Sequence, residues 1–202
     1  MNFAQLCNGI FSQAVVDYHK TNNVDAPMPN PYTEGTIEYD LYLKNWIDTV
    51  QWHLEDIIRD PEINPVEALA LKRRIDKSNQ DRTDLVERID SYFWEKYSKV
   101  QPLDGACINT ESPAWAIDRL SILHVKIYHM TEQVNRTDVS EEQHNKCAQK
   151  LAVLQEQLCD MTSSISQLLS DYEAGRRIMK VYRQMKMYND PSLNPVLYGK
   201  KG

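Results

Sequence analysis

Near the carboxyl end of the chain, Cys147, Leu151, Leu154, Leu158, Met161, Ile165, Leu168, Tyr172, Gly175, Met179 and Tyr182 recur at alternating steps of four and three. That spacing is a heptad seam. It predicts a long amphipathic helix that buries one stripe against other helices. Gly175 falls on the seam and marks either a close helix crossing or a break. The helix has a clear start, because Ser140-Glu141-Glu142-Gln143 reads as a capping box.

The remaining chain carries similar punctuation. A helix over about Phe3–Thr21 precedes a proline-rich link, VDAPMPNPYTEG. A second, over about Thr36–Arg59, is stopped by Asp60-Pro61. Asn64-Pro65 and Ser112-Pro113 each place a cap before a proline at the first helical position. They open a third helix reaching about Tyr97 and a fourth over about Pro113–Val134. No segment reads convincingly as a strand. The expected fold is all-α: an antiparallel bundle of about five helices in one domain spanning 1–202, ending in an extended arm. Leu193, Val196, Leu197 and Tyr198 are expected to pack that arm on the body.

Charge and composition narrow the function classes. The net charge is -6 and the pI about 5.4, opposite in sign to a duplex nucleic-acid binder. No apolar run suits a membrane helix, and MNFAQLCNGI lacks the basic and apolar regions of a signal peptide. The expected setting is cytoplasmic, without membrane insertion. Cys147 and Cys159 lie roughly 18 Å apart along one helix, too far for a disulfide. All four cysteines read as small buried apolar residues.

Helical wheels show where polar groups gather. On the second helix Leu43, Trp46, Ile47, Val50, Leu54, Ile57 and Ile58 form an apolar stripe. Asp48, Trp52, Glu55 and Arg59 fall opposite, with Asp56 nearby and His53 at the stripe's edge. A tryptophan among charges implies that this face touches something. On the third helix Arg82 and Ser78 interrupt the stripe Leu71, Ile75, Leu85, Val86, Ile89 and Phe93, and Asn79 borders it. A buried guanidinium cannot lose its proton. It therefore calls for a carboxylate from another helix or for an anionic ligand, the alternative being that Arg82 reaches out to water at a gap in the packing. The fourth helix is apolar on two sides, and only Arg119 and Lys126 define a wet face. Asp118 and His129 are expected to be buried or half-buried; three turns apart, they need not share one site. His124 and His129 each read as core histidines, and His19 and His144 as surface residues.

No phosphate-binding glycine loop, HExxH or G-x-S-x-G motif is present. The blocks WHLEDIIR, KRRIDKSNQDRTD, NTESPAWAIDRLSILHVKIYHM and KMYNDPSLNPVLY resemble those of a bacterial all-helical domain family of unknown function, family 4254. The resemblance implies that Trp52, Glu55, Asp56, Arg59, Asn79, Arg82, Asp118, Arg119, His129 and Asn189-Asp190-Pro191 belong to the family's pattern. Ser78 and His124 depart from it. The resemblance also implies an association with surface-polysaccharide biosynthesis.

Three functional readings follow. In the first, a polar cluster binds an anionic small molecule or a protein partner without a cofactor. There Arg82 and Arg59 receive the anion, Asn79 orients it, and Glu55, Asp56 and Asp118 position the arginines. In the second, Glu55, Asp56, Asp84 and Glu87 hold Mg²⁺ or Mn²⁺ for hydrolysis of a phosphorylated or nucleotide-linked substrate. In the third, the polar cluster only sets helix register. The seam and Trp52 also permit a homodimer.

Overall fold

The computed structural model describes residues 2–188 and 190–199. It is an all-helical bundle: α1 (Phe3–His19), α2 (Ile37–Ile57), α3 (Pro65–Tyr97), α4 (Pro113–Val134), α5 (Glu141–Glu173) and a single turn, α6 (Pro195–Tyr198). No strand occurs among the described residues; only an isolated bridge joins Cys107 to Arg177. Nor is any described helix long and apolar enough to cross a membrane.

The caps form where the sequence places them. Asn64 accepts from Val66 N at 2.8 Å, Ser112 from Trp115 N at 3.4 Å and Ser140 from Gln143 N at 3.2 Å. At α1, Asn2 and Gln5 satisfy each other's backbone N–H groups in a full capping box. The start of α4 is also tied to α3. Buried Asp90 accepts from Ser112 Oγ at 2.7 Å and from Ala114 N at 3.2 Å. One carboxylate thus receives donors at a helix amino terminus that would otherwise be orphaned.

One core runs through the bundle. It joins Phe11 and Tyr18 of α1, Leu41 and Tyr42 of α2, Ile89 and Phe93 of α3, and Ile117 and Leu120 of α4. Ile165, Leu169 and Tyr172 of α5 complete it. The seam of α5 lies chiefly against α4, and α2 touches α1, α3 and α4. Being covered on three sides, α2 has buried residues well beyond its apolar stripe, including Lys44, Asn45, Asp48 and Thr49. Ile57, expected in the stripe, is exposed at the helix end.

The carboxyl region departs from the heptad pattern. The helix stops at Glu173, so Met179 and Tyr182 continue the spacing only in sequence. Gly175 adopts φ +72°, and a Cβ there would lie 2.6 Å from Gln101 O. It therefore marks a break and a close approach together: Leu103 N donates to Gly175 O at 2.8 Å, and Ile178 N to Cys107 O at 3.1 Å. The extended arm then follows α3, where Arg183 and Gln184 N meet Glu87, and Lys186 donates to Thr83 Oγ1 at 2.7 Å. The residues expected to pack this arm do not; Leu193, Val196, Leu197 and Tyr198 are all exposed. Polar contacts over residues 183–186 hold it instead. The cysteines also divide, Cys7 and Cys147 buried, Cys107 and Cys159 exposed, all free.

Gly175→Ala combines a left-handed backbone with a backbone clash. The substitution is expected to lower stability by more than about 1 kcal/mol, read as a lower urea midpoint with unchanged slope.

Candidate functional site

Where α2, α3 and α4 meet, four charged side chains interlock. Arg82 forks onto Asp118, with Nε donating to Oδ1 at 2.9 Å and an Nη to Oδ2 at 2.7 Å. Its Nε also lies 3.4 Å from Asp48 Oδ1. The wholly buried Lys44 ammonium donates to Asp48 and stands 3.0 Å from Asp118 Oδ1. Ser121 Oγ donates to Asp48 Oδ2 at 2.6 Å, and Asn45 Nδ2 donates back to Ser121 at its carbonyl (3.1 Å) and hydroxyl (3.2 Å). Two cations face two carboxylates, so the cluster is neutral as a whole.

The carboxylates respond oppositely to this setting. Burial pushes Asp48 above its ordinary pKa, the neighbouring Asp118 adds to that, and Lys44 opposes it. Burial raises Asp118 too, but Lys44 and Arg82 outweigh it and hold this carboxyl below its ordinary value. Arg82 thus finds the carboxylate that its place in an apolar stripe demands. Its charge is met within the protein.

The other expected site residues fall into two groups. Trp52, Glu55, Asp56, Arg59 and Arg82 do share a cleft, of about 330 Å³, with Asp48 and Gln51. Its ionised groups are three carboxylates and two arginines, a poor balance for an anion. Arg59 lies 3.5 Å from Glu55 and 3.9 Å from Asp56, exposed pairs of small energetic weight. Asn79 and Arg119 do not line this cleft. Asn79 accepts from Gln51 Nε2 at 2.8 Å, and Arg119 forks onto Glu111 at 2.9 and 3.0 Å.

The four carboxylates considered for Mg²⁺ or Mn²⁺ do not converge. Asp84 accepts from Gln80, and Glu87 is taken by the arm. Among the described residues no metal-type group of three includes either of them, Glu55 or Asp56. They lie on different helices and meet different partners. Of the tail motif, Asn189 lies outside the described residues. Asp190 accepts from Ser192 within its own turn.

His129 belongs to a separate arrangement. One ring nitrogen from each of His19, His53 and His129 lies within 4.8 Å of the others. Trp52 stacks on His129 at 4.9 Å, so the contact implied by a tryptophan among charges is with a histidine. His19, read from sequence as a surface residue, is half-buried; it sits at the end of α1, where α2 and α4 cover it. Beside this group a groove of about 770 Å³ runs between α2, α4 and α5. Trp52, Met130 and Leu154 supply apolar walls, and its charged side chains are Lys126, Lys146 and Lys150 against one carboxylate, Asp56. Lys146 pairs with Glu142 at 2.6 Å. Lys126 and Lys150 have no acidic partner among the described residues.

The family described as "Protein of unknown function (DUF4254)" matches residues 38–181. The chain belongs to that family. The matched span takes in α2 through α5 and so the charged cluster, the groove, His53 and His129; His19 lies before it. No curated protein and no solved structure matches the chain.

Wheel reasoning missed Lys44, Asn45, Ser121 and the depth of Asp48. One signal was available. Lys44 and Asp48 are four residues apart, and Leu41, Tyr42 and Trp46 leave α2 little surface to give to solvent. For His19 no local signal exists.

Two predictions follow from these groups. Lys44→Met removes one of the two cations that face two buried carboxylates, leaving Asp48 with only the more distant Arg82, and is expected to cost about 3–5 kcal/mol, measured by chemical denaturation. Burial holds His124 down to about 4 and also lowers His19 and His53, with the neighbouring imidazoles adding to the effect. The unfolded chain therefore takes up these protons first as pH falls. Stability is fully present above about 6.5 and is lost on acidification towards 4. His124 alone accounts for on the order of 3 kcal/mol. Urea midpoints measured across that range are expected to fall less steeply in His124→Gln.

Proposed function

We propose that this protein binds an anionic small molecule with a flat or apolar body in the groove between α2, α4 and α5. The observation that carries the reading is the pair Lys126 and Lys150, facing an apolar groove without acidic partners among the described residues, in a chain of net charge -6. Trp52 offers one face to His129 and lines the groove, so a planar ligand group has an aromatic surface to lie along. Small-molecule sites commonly pair such apolar walls with a few orienting charges.

This reading keeps the expected ligand class and moves its receptor. Arg82 is already neutralised by Asp118 and Asp48, so an added anion there would have to displace a bidentate pair. The implied association with surface-polysaccharide assembly makes sugar nucleotides the first anions to screen. A second reading, a protein partner or a second copy of the chain, draws on the exposed Tyr182, Met185, Met187 and Tyr188 of the arm.

Nucleotides and sugar nucleotides at millimolar concentration are expected to raise the melting temperature of the wild-type chain. At 100 times the dissociation constant the gain is about 2.7 kcal/mol. Lys126→Glu/Lys150→Glu should abolish the shift while leaving the unliganded melting temperature close to wild type. No shift with any screened anion, or an equal shift in the double variant, overturns the proposal.

A further inference from the structure

We propose that His19, His53 and His129 form a binding site for one divalent transition-metal ion of the zinc class.

The three rings stand at the corners of a nearly equilateral triangle. Their centroids are 5.2 Å (His19–His53), 5.1 Å (His19–His129) and 5.2 Å (His53–His129) apart. The ring planes cross at 62°, 72° and 73° in the same order. Imidazoles bound through nitrogen at about 2.05 Å to one tetrahedral ion place their ring centroids roughly 5 Å apart, the spacing seen here. His19 Nε2 and His53 Nε2 are 3.2 Å apart. Two nitrogens bound to one tetrahedral zinc at about 2.05 Å stand roughly 3.3 Å apart. The third nitrogen, within 4.8 Å, needs a shift of about an ångström or so to join them.

The outer shell supports the same reading. His19 Nδ1–H donates to Val15 O at 2.6 Å, and His129 Nδ1–H donates to Glu132 Oε2 at 2.9 Å. Each bond fixes the tautomer that leaves Nε2 with its lone pair, the usual support of a metal-bound imidazole. His129 Nε2 is buried and has no hydrogen-bond partner among the described residues, which needs an explanation in a folded protein. An ion supplies one. Each ring is also held by its own aromatic face: Tyr128 on His19 at 4.0 Å, Tyr18 on His53 at 5.0 Å and Trp52 on His129 at 4.9 Å. Such packing pre-organises the ligands.

Without an ion, His53 Nε2–H donates to the lone pair of His19 Nε2. On binding, that proton passes to His53 Nδ1, so the neutral ring turns its lone pair inward with no change of charge. Three neutral nitrogens select zinc, cobalt or nickel over Mg²⁺ or Ca²⁺, which prefer oxygen. Three protein ligands leave a fourth position for water or a ligand atom. The site uses His129 of the groove wall and none of its lysines. Metal binding therefore survives Lys126→Glu/Lys150→Glu, and the anion site and the metal site fail separately.

The test is titration of the chelator-stripped full chain with Co(II), followed by Zn(II). One equivalent of Co(II) should give the intense visible absorption of a four-coordinate ion without a thiolate charge-transfer band. One equivalent of Zn(II) should abolish it and raise the melting temperature. His53→Gln and His129→Gln should remove binding, and exposed His144→Gln should not. Glu132→Gln, which keeps all three ligands, should weaken binding 10- to 100-fold; it also serves where a ligand variant fails to fold. Absence of stoichiometric binding overturns the proposal. So does a weak six-coordinate or thiolate-type spectrum, or wild-type binding in the Glu132→Gln and His53→Gln chains.

Discussion

At the junction of α2, α3 and α4, Lys44, Asp48, Arg82 and Asp118 hold one another in place of water. Their attraction is opposed by the cost of desolvating four charges, so the net stabilisation from such a cluster is small. Its structural consequence is larger. Sliding either α3 or α4 along α2 by one turn would leave buried charge unpaired, which is far more costly than shifting an apolar contact. The cluster thus sets register as well as proximity. On α2, Trp52 and His53 lie about one turn beyond Asp48; on α4, His129 lies three turns beyond Asp118. The meeting of His53 with His129, and the seating of Trp52 upon it, depend on that register.

The interior and the groove use charge in different ways. In the cluster every cation has a carboxylate and Ser121 and Asn45 donate within it, so its charge is balanced internally; the buried Asn45 Oδ1 alone has no partner there among the described residues. Around the groove Lys126 and Lys150 have no acidic partner among the described residues, while apolar side chains line the space between them. Towards the amino end of α5 the seam residues Leu151, Leu154 and Leu158 are only half-buried, since the bundle's core sits at the other end, around Ile165, Leu169 and Tyr172. The same heptad pattern therefore builds core at one end of the helix and a groove wall at the other.

Much of the architecture was legible from local chemistry. Asn64-Pro65, Ser112-Pro113 and the serine at 140 act at short range, through bonds to amides two or three residues on, and no distant partner alters them. Arg82 was legible for another reason: a guanidinium has no neutral form, so its position in an apolar stripe required a counter-charge. Lys44 carried no such mark. A flexible lysine between buried neighbours is usually able to reach solvent, and only coverage of α2 from three sides closes that route. Asp48 shows the same limit, since a wheel assigns direction around a helix but not depth.

Sequence by itself determined the helices, their caps and the need for a counter-ion at Arg82, because each follows from contacts within a few residues or from the chemistry of one group; it left open whether Gly175 marks a crossing or a break. Tertiary structure alone decided which carboxylate answers Arg82, how deep Lys44 lies, and that histidines at positions 19, 53 and 129 face one another. Those outcomes depend on the angles and offsets at which α1, α2 and α4 cross. Such offsets arise from the summed packing of many side chains and leave no trace in the spacing of any single segment.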